Sequence, residues 1–308
     1  MAAPVTTRTG TDASTERSAW MEVDWREHQR WVTVEGRPVN VIELGSGPPL
    51  VFVHGLGGAW QNWLEQLPHF ASSHRVVAID LPGFGHSPMP AQKISIRGFA
   101  DTLDRLCDAL EIPSAAFVGN SMGGFVGAEL AITRPQRVER LVLVSAAGIT
   151  EDYERPGGVT ELWRREHWPT MEQQWRRRVA KARESDRRMA ALRRFQRIAG
   201  FYSAWVASHS DAFTRRPRLR RALLAFVVRH PDQIPAPLAA EQVRGAGKPG
   251  FIDALDDLLD YRIRDCLGDI SCPTLVVWGT HDFLVPLRDA SAFEELIPNA
   301  RKVVFEDT

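Results

Sequence analysis

The sequence has few cysteines and no excess of charge of either sign. Its three cysteines, Cys107, Cys266 and Cys272, form neither a CxxC pair nor a cluster with metal-ligand spacing, and an odd number is a poor basis for a disulfide framework. We therefore expect a reducing, cytoplasmic environment. Lys plus Arg and Asp plus Glu number 38 each, so the composition does not indicate nucleic acid as a partner.

Long apolar runs are also missing. No stretch approaches the roughly 18 consecutive apolar residues of a membrane-spanning helix, and the N-terminus lacks the apolar core of a signal peptide. The sequence therefore predicts no membrane span and a disordered N-terminal tail over residues 1–24. With 308 residues, of which 44% are hydrophobic and 25% charged, the chain has the composition of a globular protein with a large core.

Strand-like and helix-like segments alternate along the first half of the chain. Two β-rich runs joined at Gly36 predict an antiparallel hairpin, and the apolar run from Leu50 to Val53 is typical of a strand that is buried on both faces. Apolar residues at helical spacing between Ile96 and Leu110 predict an amphipathic helix. This alternation predicts an α/β fold with a mostly parallel sheet flanked by helices.

The alternation stops near residue 148 and resumes at the strand-like run TLVVWG, residues 274–279. The core is then residues 25–148 and 270–308. Few strand-like runs lie between, so we expect residues 149–269 to form a helical lid, inserted after the sixth strand, over the sheet edge where α/β proteins bind ligands. Between residues 164 and 221 there are 17 Lys and Arg against five Asp and Glu, which indicates either solvated helix faces or an electrostatic funnel for an anionic substrate.

A GxSxG pattern is the strongest chemical signal. In AAFVGNSMGG, residues 115–124, a buried strand ends at Gly119, Ser121 stands between two glycines, and a helix-compatible run follows. A nucleophile on such a sharp strand-to-helix turn has a strained backbone, and side chains two positions to either side of it would collide. We therefore predict that Ser121 is a nucleophile and that the amide of Met122 faces the negative charge that develops on an attacked carbonyl.

The segment VFVHGLGG, residues 51–58, ends another predicted strand. Its glycines let the backbone approach a ligand, and the amide of Leu56 can form an oxyanion hole together with that of Met122. His54 is a candidate general base, but its place before the turn favours a hydrogen-bonding role within the loop.

A carboxylate and two histidines follow other predicted strands. Asp282 comes after the strand of residues 274–279, where it can orient an imidazole and stabilise the protonated ring. The alternative for Asp282 is that it only caps a turn. His281 is expected to point elsewhere, and His86, in DLPGFGHS, is expected to be a loop residue.

Together these segments resemble the α/β-hydrolase fold superfamily. HGLGG, DLPGFGHS, GNSMGG and GTHDFLVP occur in the order and at the spacing typical of that family, between about Trp25 and Glu306 apart from the insertion. The resemblance implies a Ser-Asp-His triad, with Ser121 as nucleophile and Asp282 as acid, and it implies no cofactor and no metal. A serine at the nucleophile position argues against the related haloalkane dehalogenases and epoxide hydrolases, which use an aspartate there.

The same resemblance implies a catalytic histidine in the loop after the last strand, followed by a helix. Here that strand is RKVVFEDT, residues 301–308, and the sequence ends on it. We therefore expect these residues to lack the triad histidine and to leave an apolar sheet face uncovered. Two interpretations stay open: a chain shortened before the histidine, or a hydrolase-like protein that binds a small molecule without turning it over.

The reaction that these residues predict is hydrolysis of a carboxylic ester through an acyl-enzyme on Ser121. The aromatic and leucine-rich insertion, with Trp60 and Trp63 after the oxyanion segment, favours a small-molecule substrate with an apolar acyl or aryl group. GNSMGG also resembles the equivalent segment of hydrolases that cleave carbon–carbon bonds in ring-opened aromatic products, and the basic insertion suits their carboxylates. The sequence leaves the oligomeric state open.

Overall fold

The computed structural model describes residues 18–149, 208–224, 228–244 and 248–308. Within these residues eight strands form one sheet in the order β1-β2-β4-β3-β5-β6-β7-β8. They are β1 (Gln29–Val34), β2 (Arg37–Leu44), β3 (Pro49–Val53), β4 (Arg75–Ile79), β5 (Ala115–Asn120), β6 (Val138–Val144), β7 (Thr274–Gly279) and β8 (Ala300–Phe305). The β1–β2 and β2–β4 pairs are antiparallel, and β4 to β8 pair in parallel, which confirms the predicted mostly parallel sheet.

Eight α-helices lie within the same residues. They are α1 (Gln66–Ala71), α2 (Ile96–Ala109), α3 (Met122–Thr133), α4 (Ser210–Thr214), α5 (Pro217–Leu224), α6 (Ala236–Arg244), α7 (Phe251–Asp260) and α8 (Leu287–Leu296). Helices α4 to α7 belong to the predicted insertion, whose residues 150–207 lie outside the described residues, so the lid stays a prediction. Of the helices described, none is both long and apolar enough to cross a bilayer.

The sheet separates two apolar layers. On one face, α3 packs on β5 and β6, α8 packs on β7 and β8, and α2 packs on α3 and β1. Helix α3 is buried on nearly all sides, from Met122 to Ala131, which explains why its sequence lacks the polar stripe of a surface helix. Helix α2 is amphipathic and begins at Ser95, whose Oγ accepts the Gly98 N–H at 3.0 Å. On the other face, Trp63 and α1 pack against Phe52 of β3.

The predicted tail, residues 1–24, needs one correction. Residues 1–17 lie outside the described residues, but residues 18–24 contain regular structure with one buried side chain. A 3₁₀-helix spans Ala19–Glu22, and Trp20 is 8% exposed within the second apolar layer. The indole of Trp25 donates to the Trp20 carbonyl at 2.9 Å. The sequence did not predict the burial of Trp20, because a single tryptophan in a polar segment produces no periodic pattern.

Strand β8 exposes apolar side chains on one face of the sheet. Val303 is 41% exposed and Phe305 is 55% exposed. Val303 lies beside Val277 of β7, which is only half-buried.

Candidate active site

Ser121 occupies a strained turn between β5 and α3. Its φ of 53° and ψ of −116° lie in a region that non-glycine residues rarely adopt. Three backbone hydrogen bonds hold it there: its N–H donates to Val144 O at 2.9 Å, and its carbonyl accepts from Ala147 N at 3.1 Å and Phe125 N at 3.2 Å. Such strain persists where surrounding contacts over-determine the conformation, and it is concentrated at functional sites.

The two positions that flank Ser121 require glycine because main-chain atoms lie close to each of them. A Cβ on Gly119 would lie 2.3 Å from Gly123 O, and a Cβ on Gly123 would lie 2.2 Å from Val53 O. Helix α3 therefore starts against the ends of both β5 and β3. No other residue type fits at these two positions without moving main chain, as the sequence pattern predicted.

The loop after β3, residues 55–59, lies next to the nucleophile; we call it the oxyanion loop. A Cβ on Gly55 would be 3.2 Å from Ser121 Cβ, and the Gly58 N–H closes a turn onto Gly55 O at 3.0 Å. Leu56 thus directly follows the residue that touches Ser121. Met122 is the first residue of α3, where helix amides have no intrahelical partner. The role of the Leu56 and Met122 amides as oxyanion donors stays a prediction.

His54 is a buried structural group, as the sequence predicted. Leu81 N–H donates to its Nε2 at 3.0 Å, so Nδ1 holds the proton and donates to Gly55 O at 2.8 Å. Burial lowers the pKa of His54, and the nearby Asp80 carboxylate and the Gly55 hydrogen bond only partly oppose this effect. The ring is therefore neutral and has no free nitrogen with which to accept a proton.

Asp282 lies three residues beyond the end of β7, at the predicted edge of the sheet. Its Oδ1 accepts the N–H groups of Leu284 and Val285, both at 2.9 Å, so the turn-capping role is present. Its Oδ2 has no hydrogen bond within the described part of the chain. Strands β5 and β7 are two positions apart, about 10 Å at the usual strand spacing, which leaves room for an imidazole between Ser121 and Asp282.

None of the described histidines forms a hydrogen bond or an ion pair with Ser121 or Asp282, although His281 directly precedes Asp282 in the sequence. His281 is exposed, and its Nδ1 lies 3.0 Å from Thr280 Oγ1. His86 is also exposed, with Nδ1 3.7 Å from Asp80 Oδ2. Their positions agree with the expectation that neither is catalytic.

Sequence reasoning missed Asp80, which joins strand β2, the 3₁₀-helix Trp60–Trp63 and the loop that contains His86. This fully buried carboxylate accepts from Trp60 N at Oδ1 and from Asn40 Nδ2 and His86 N at Oδ2, each at 2.8 Å. Burial alone would raise the pKa of Asp80, but hydrogen bonds from His86 and Trp60 outweigh it, and the net shift is downward. The available signal was a charged residue directly after the buried run VVAI.

Replacing Asp80 with Asn should lower the free energy of unfolding by about 3 kcal/mol at pH 7, because an amide group must face at least one of the three donors. The folded-state pKa of Asp80 lies below its unfolded value, so its carboxylate stabilises the fold above about pH 3.9, and this contribution is lost as the pH falls through the folded-state pKa. The difference between the two proteins in urea unfolding should therefore shrink in acid.

The exposed Asp269 has no hydrogen bond in the described structure and offers a matched control. Asp269→Asn should change the free energy of unfolding by less than about 0.5 kcal/mol. Equal urea midpoints for Asp80→Asn and Asp269→Asn at pH 7 would contradict the structural role of Asp80.

The two tryptophans that follow the oxyanion loop are buried in the core. Trp60 is 6% exposed and Trp63 is 7% exposed, and both belong to the apolar layer around Phe52. Their aromatic character is accounted for by packing against the sheet. The sequence inference that they favour an apolar substrate group stays a prediction.

A family model described as the alpha/beta hydrolase fold matches residues 48–308. The chain belongs to the α/β-hydrolase fold family. Over 281 residues it is 30% identical to 2-hydroxy-6-oxo-2,4-heptadienoate hydrolase of Pseudomonas putida strain F1, covering 90% of this chain and 87% of that protein. The predicted fold family is thereby confirmed.

This α/β-hydrolase is also similar to a second curated hydrolase and to a solved structure. Over 125 residues the chain is 42% identical to 2-hydroxymuconate semialdehyde hydrolase of Pseudomonas sp. strain CF600, a match that covers 39% of this chain and 44%, less than half, of that relative. The solved structure of Est816, described as an N-acyl homoserine lactone degrading enzyme, is 26% identical with a TM-score of 0.60, covering 91% of this chain and 92% of that one.

Proposed function

We propose that this α/β-hydrolase is a serine hydrolase that cleaves a small carbonyl substrate through an acyl-enzyme on Ser121. The main support is the strained conformation of Ser121, with φ 53°, fixed at the start of α3 by backbone hydrogen bonds and by two contacts that only glycine permits. In this turn the hydroxyl projects beyond the sheet edge, beside the first amides of a helix and beside the oxyanion loop.

The proposed mechanism gives each group one task. Ser121 Oγ attacks the carbonyl carbon, and the amides of Leu56 and Met122 stabilise the oxyanion that forms. Asp282 orients the imidazolium of a histidine that takes the serine proton and passes it to the leaving group, after which water hydrolyses the acyl-enzyme. Within the described residues Asp282 Oδ2 has no hydrogen bond, so it is available for this task. We assign the base to none of the described histidines, since none forms a hydrogen bond or an ion pair with Ser121 or Asp282.

The first candidate substrate is a carboxylic ester with an apolar acyl or aryl group. A second candidate is a ring-opened aromatic product cleaved at a carbon–carbon bond, because the relative that matches 90% of this chain is a 2-hydroxy-6-oxo-2,4-heptadienoate hydrolase. Both reactions attack a carbonyl carbon and need the same oxyanion donors. All three cysteines are free thiols in the structure, which supports the proposed cytoplasmic location.

Comparing two substrate classes tests this proposal. We expect natively expressed protein to hydrolyse p-nitrophenyl butyrate with a higher kcat/KM than a vinylogous 1,5-diketone acid, and we expect both activities to be lost in Ser121→Ala. Faster cleavage of the diketone acid would make the second candidate correct. Saturable binding of either compound, with no turnover that depends on Ser121, would show a binding protein instead.

A further inference from the structure

Asn62 lies directly against the oxyanion loop. A Cβ on Gly58 would be 2.0 Å from Asn62 Oδ1, and the same oxygen accepts the Ala59 N–H at 3.3 Å. The Asn62 side chain therefore occupies the space beside the Gly58 backbone and holds the end of the loop. Gly58 is a glycine because this carboxamide leaves no room for a side chain.

Gln242 of helix α6 binds the same segment from the insertion. Its Nε2 donates to Gln61 O at 3.0 Å, and its Oε1 accepts from Asn62 Nδ2. Ala59 N–H can only donate and Gln61 O can only accept, so the main chain at the two ends fixes the orientation of both carboxamides. The result is one continuous chain of hydrogen bonds from α6 through Asn62 to the oxyanion loop.

Helix α7 contacts the loop at a second point. The Phe251 ring would be 3.2 Å from a Cβ on Gly57, whose φ is +73°, and the preceding Gly250 donates its N–H to Gly83 O at 3.1 Å. The insertion therefore contacts the loop at Gly57 through Phe251, and it binds the segment after Gly58 through the hydrogen bonds of Gln242. Leu56 lies between these contacts and Gly55, which touches Ser121.

We propose that Gln242 and Asn62 are positioning residues that hold the oxyanion loop so that the Leu56 amide points at the reacting carbonyl. This inference rests on the proposed function of Ser121. It makes helix α6 part of the catalytic apparatus, because a displacement of α6 breaks the hydrogen-bond chain and releases the loop. Neither side chain touches the reacting atoms.

Gln242→Ala tests the proposal in the natively expressed protein. Removal of one oxyanion donor lowers kcat by about 10²–10³-fold, so misplacement of that donor should lower the kcat of p-nitrophenyl butyrate hydrolysis by about 10–100-fold. KM should stay within about twofold, because the oxyanion forms only in the transition state. Hydrogen exchange of the peptide spanning residues 55–62 should accelerate.

Asn62→Asp provides a second variant that keeps the acceptor for Ala59 but removes the donor to Gln242. If Asn62 and Gln242 act on the loop through the hydrogen bond that joins them, the double variant Asn62→Asp with Gln242→Ala should have about the same kcat as either single variant. The matched control is Arg244→Ala on the same helix, which loses ion pairs with Asp211 and Glu241 but has no contact with the loop. It should leave kcat and loop exchange unchanged.

The outcomes separate this inference from the proposed function. An unchanged kcat or unchanged loop exchange in Gln242→Ala, with turnover that depends on Ser121 intact, overturns the positioning role alone. An equal loss of kcat in Arg244→Ala also overturns it, because any destabilisation of helix α6 would then lower kcat without involving the hydrogen bonds to the loop. Absence of turnover that depends on Ser121 in the unmodified protein overturns the proposed function, and this inference with it.

Discussion

Replacing Gly123 with alanine should prevent the protein from reaching a stable native state. The new Cβ would lie 2.2 Å from Val53 O and 2.6 Å from His54 O. These are main-chain atoms at the end of the buried strand β3, so no side-chain rotation relieves the contact. Separating α3 from β3 would disrupt the core on that face, and we expect a loss above about 4 kcal/mol, most of the stability of a typical domain.

Urea unfolding monitored by near-ultraviolet circular dichroism measures this effect. Gly268→Ala is the control, because a Cβ there meets no atom within 4 Å and its φ is not positive; it should change the free energy of unfolding by less than about 0.5 kcal/mol. A Gly123→Ala protein that unfolds at the wild-type urea concentration would contradict the packing of α3 against β3.

Ser121→Ala should abolish turnover while leaving the fold intact. In serine hydrolases the loss of the nucleophile lowers kcat by about 10⁶-fold, and the activity that remains comes from the oxyanion hole and substrate binding. Alanine keeps a Cβ at the same strained φ, so the free energy of unfolding should change little. Steady-state hydrolysis of the preferred substrate by natively expressed protein provides the measurement.

Ser145 is the natural control for Ser121→Ala. It directly follows the neighbouring strand β6 and also has a positive φ, of 45°, but no helix begins at it. Ser145→Ala should show no comparable loss of kcat. If Ser121→Ala retained wild-type turnover, Ser121 would have no place in the mechanism.

Much of the fold follows from local sequence. Buried apolar runs predicted the parallel strands, and the spacing of apolar residues predicted α2 nearly to its observed end at Ala109. The start of α3 was predictable because Ser121 and its glycines mark the turn from which the helix begins. The same local steric rule located the candidate nucleophile before any tertiary contact was known.

Long-range contacts were not predictable in this way. Gln242 contacts Asn62 across 180 residues, and the donors to Asp80 come from a strand, a 3₁₀-helix and a loop that are far apart in sequence, so no periodic pattern indicates either cluster. Trp60 presented a different difficulty, since an aromatic residue after the oxyanion loop suits a substrate pocket as well as a core. The sequence does not show that Trp60 packs in the second apolar layer.

The most direct test of the central claim is labelling of natively expressed protein with a fluorophosphonate, which reacts with activated serines. We predict a single covalent adduct on the peptide that contains Ser121, absent in Ser121→Ala and retained in Ser145→Ala. Absence of the adduct from the unmodified protein, or an adduct on another serine, would contradict the assignment of Ser121 as the nucleophile.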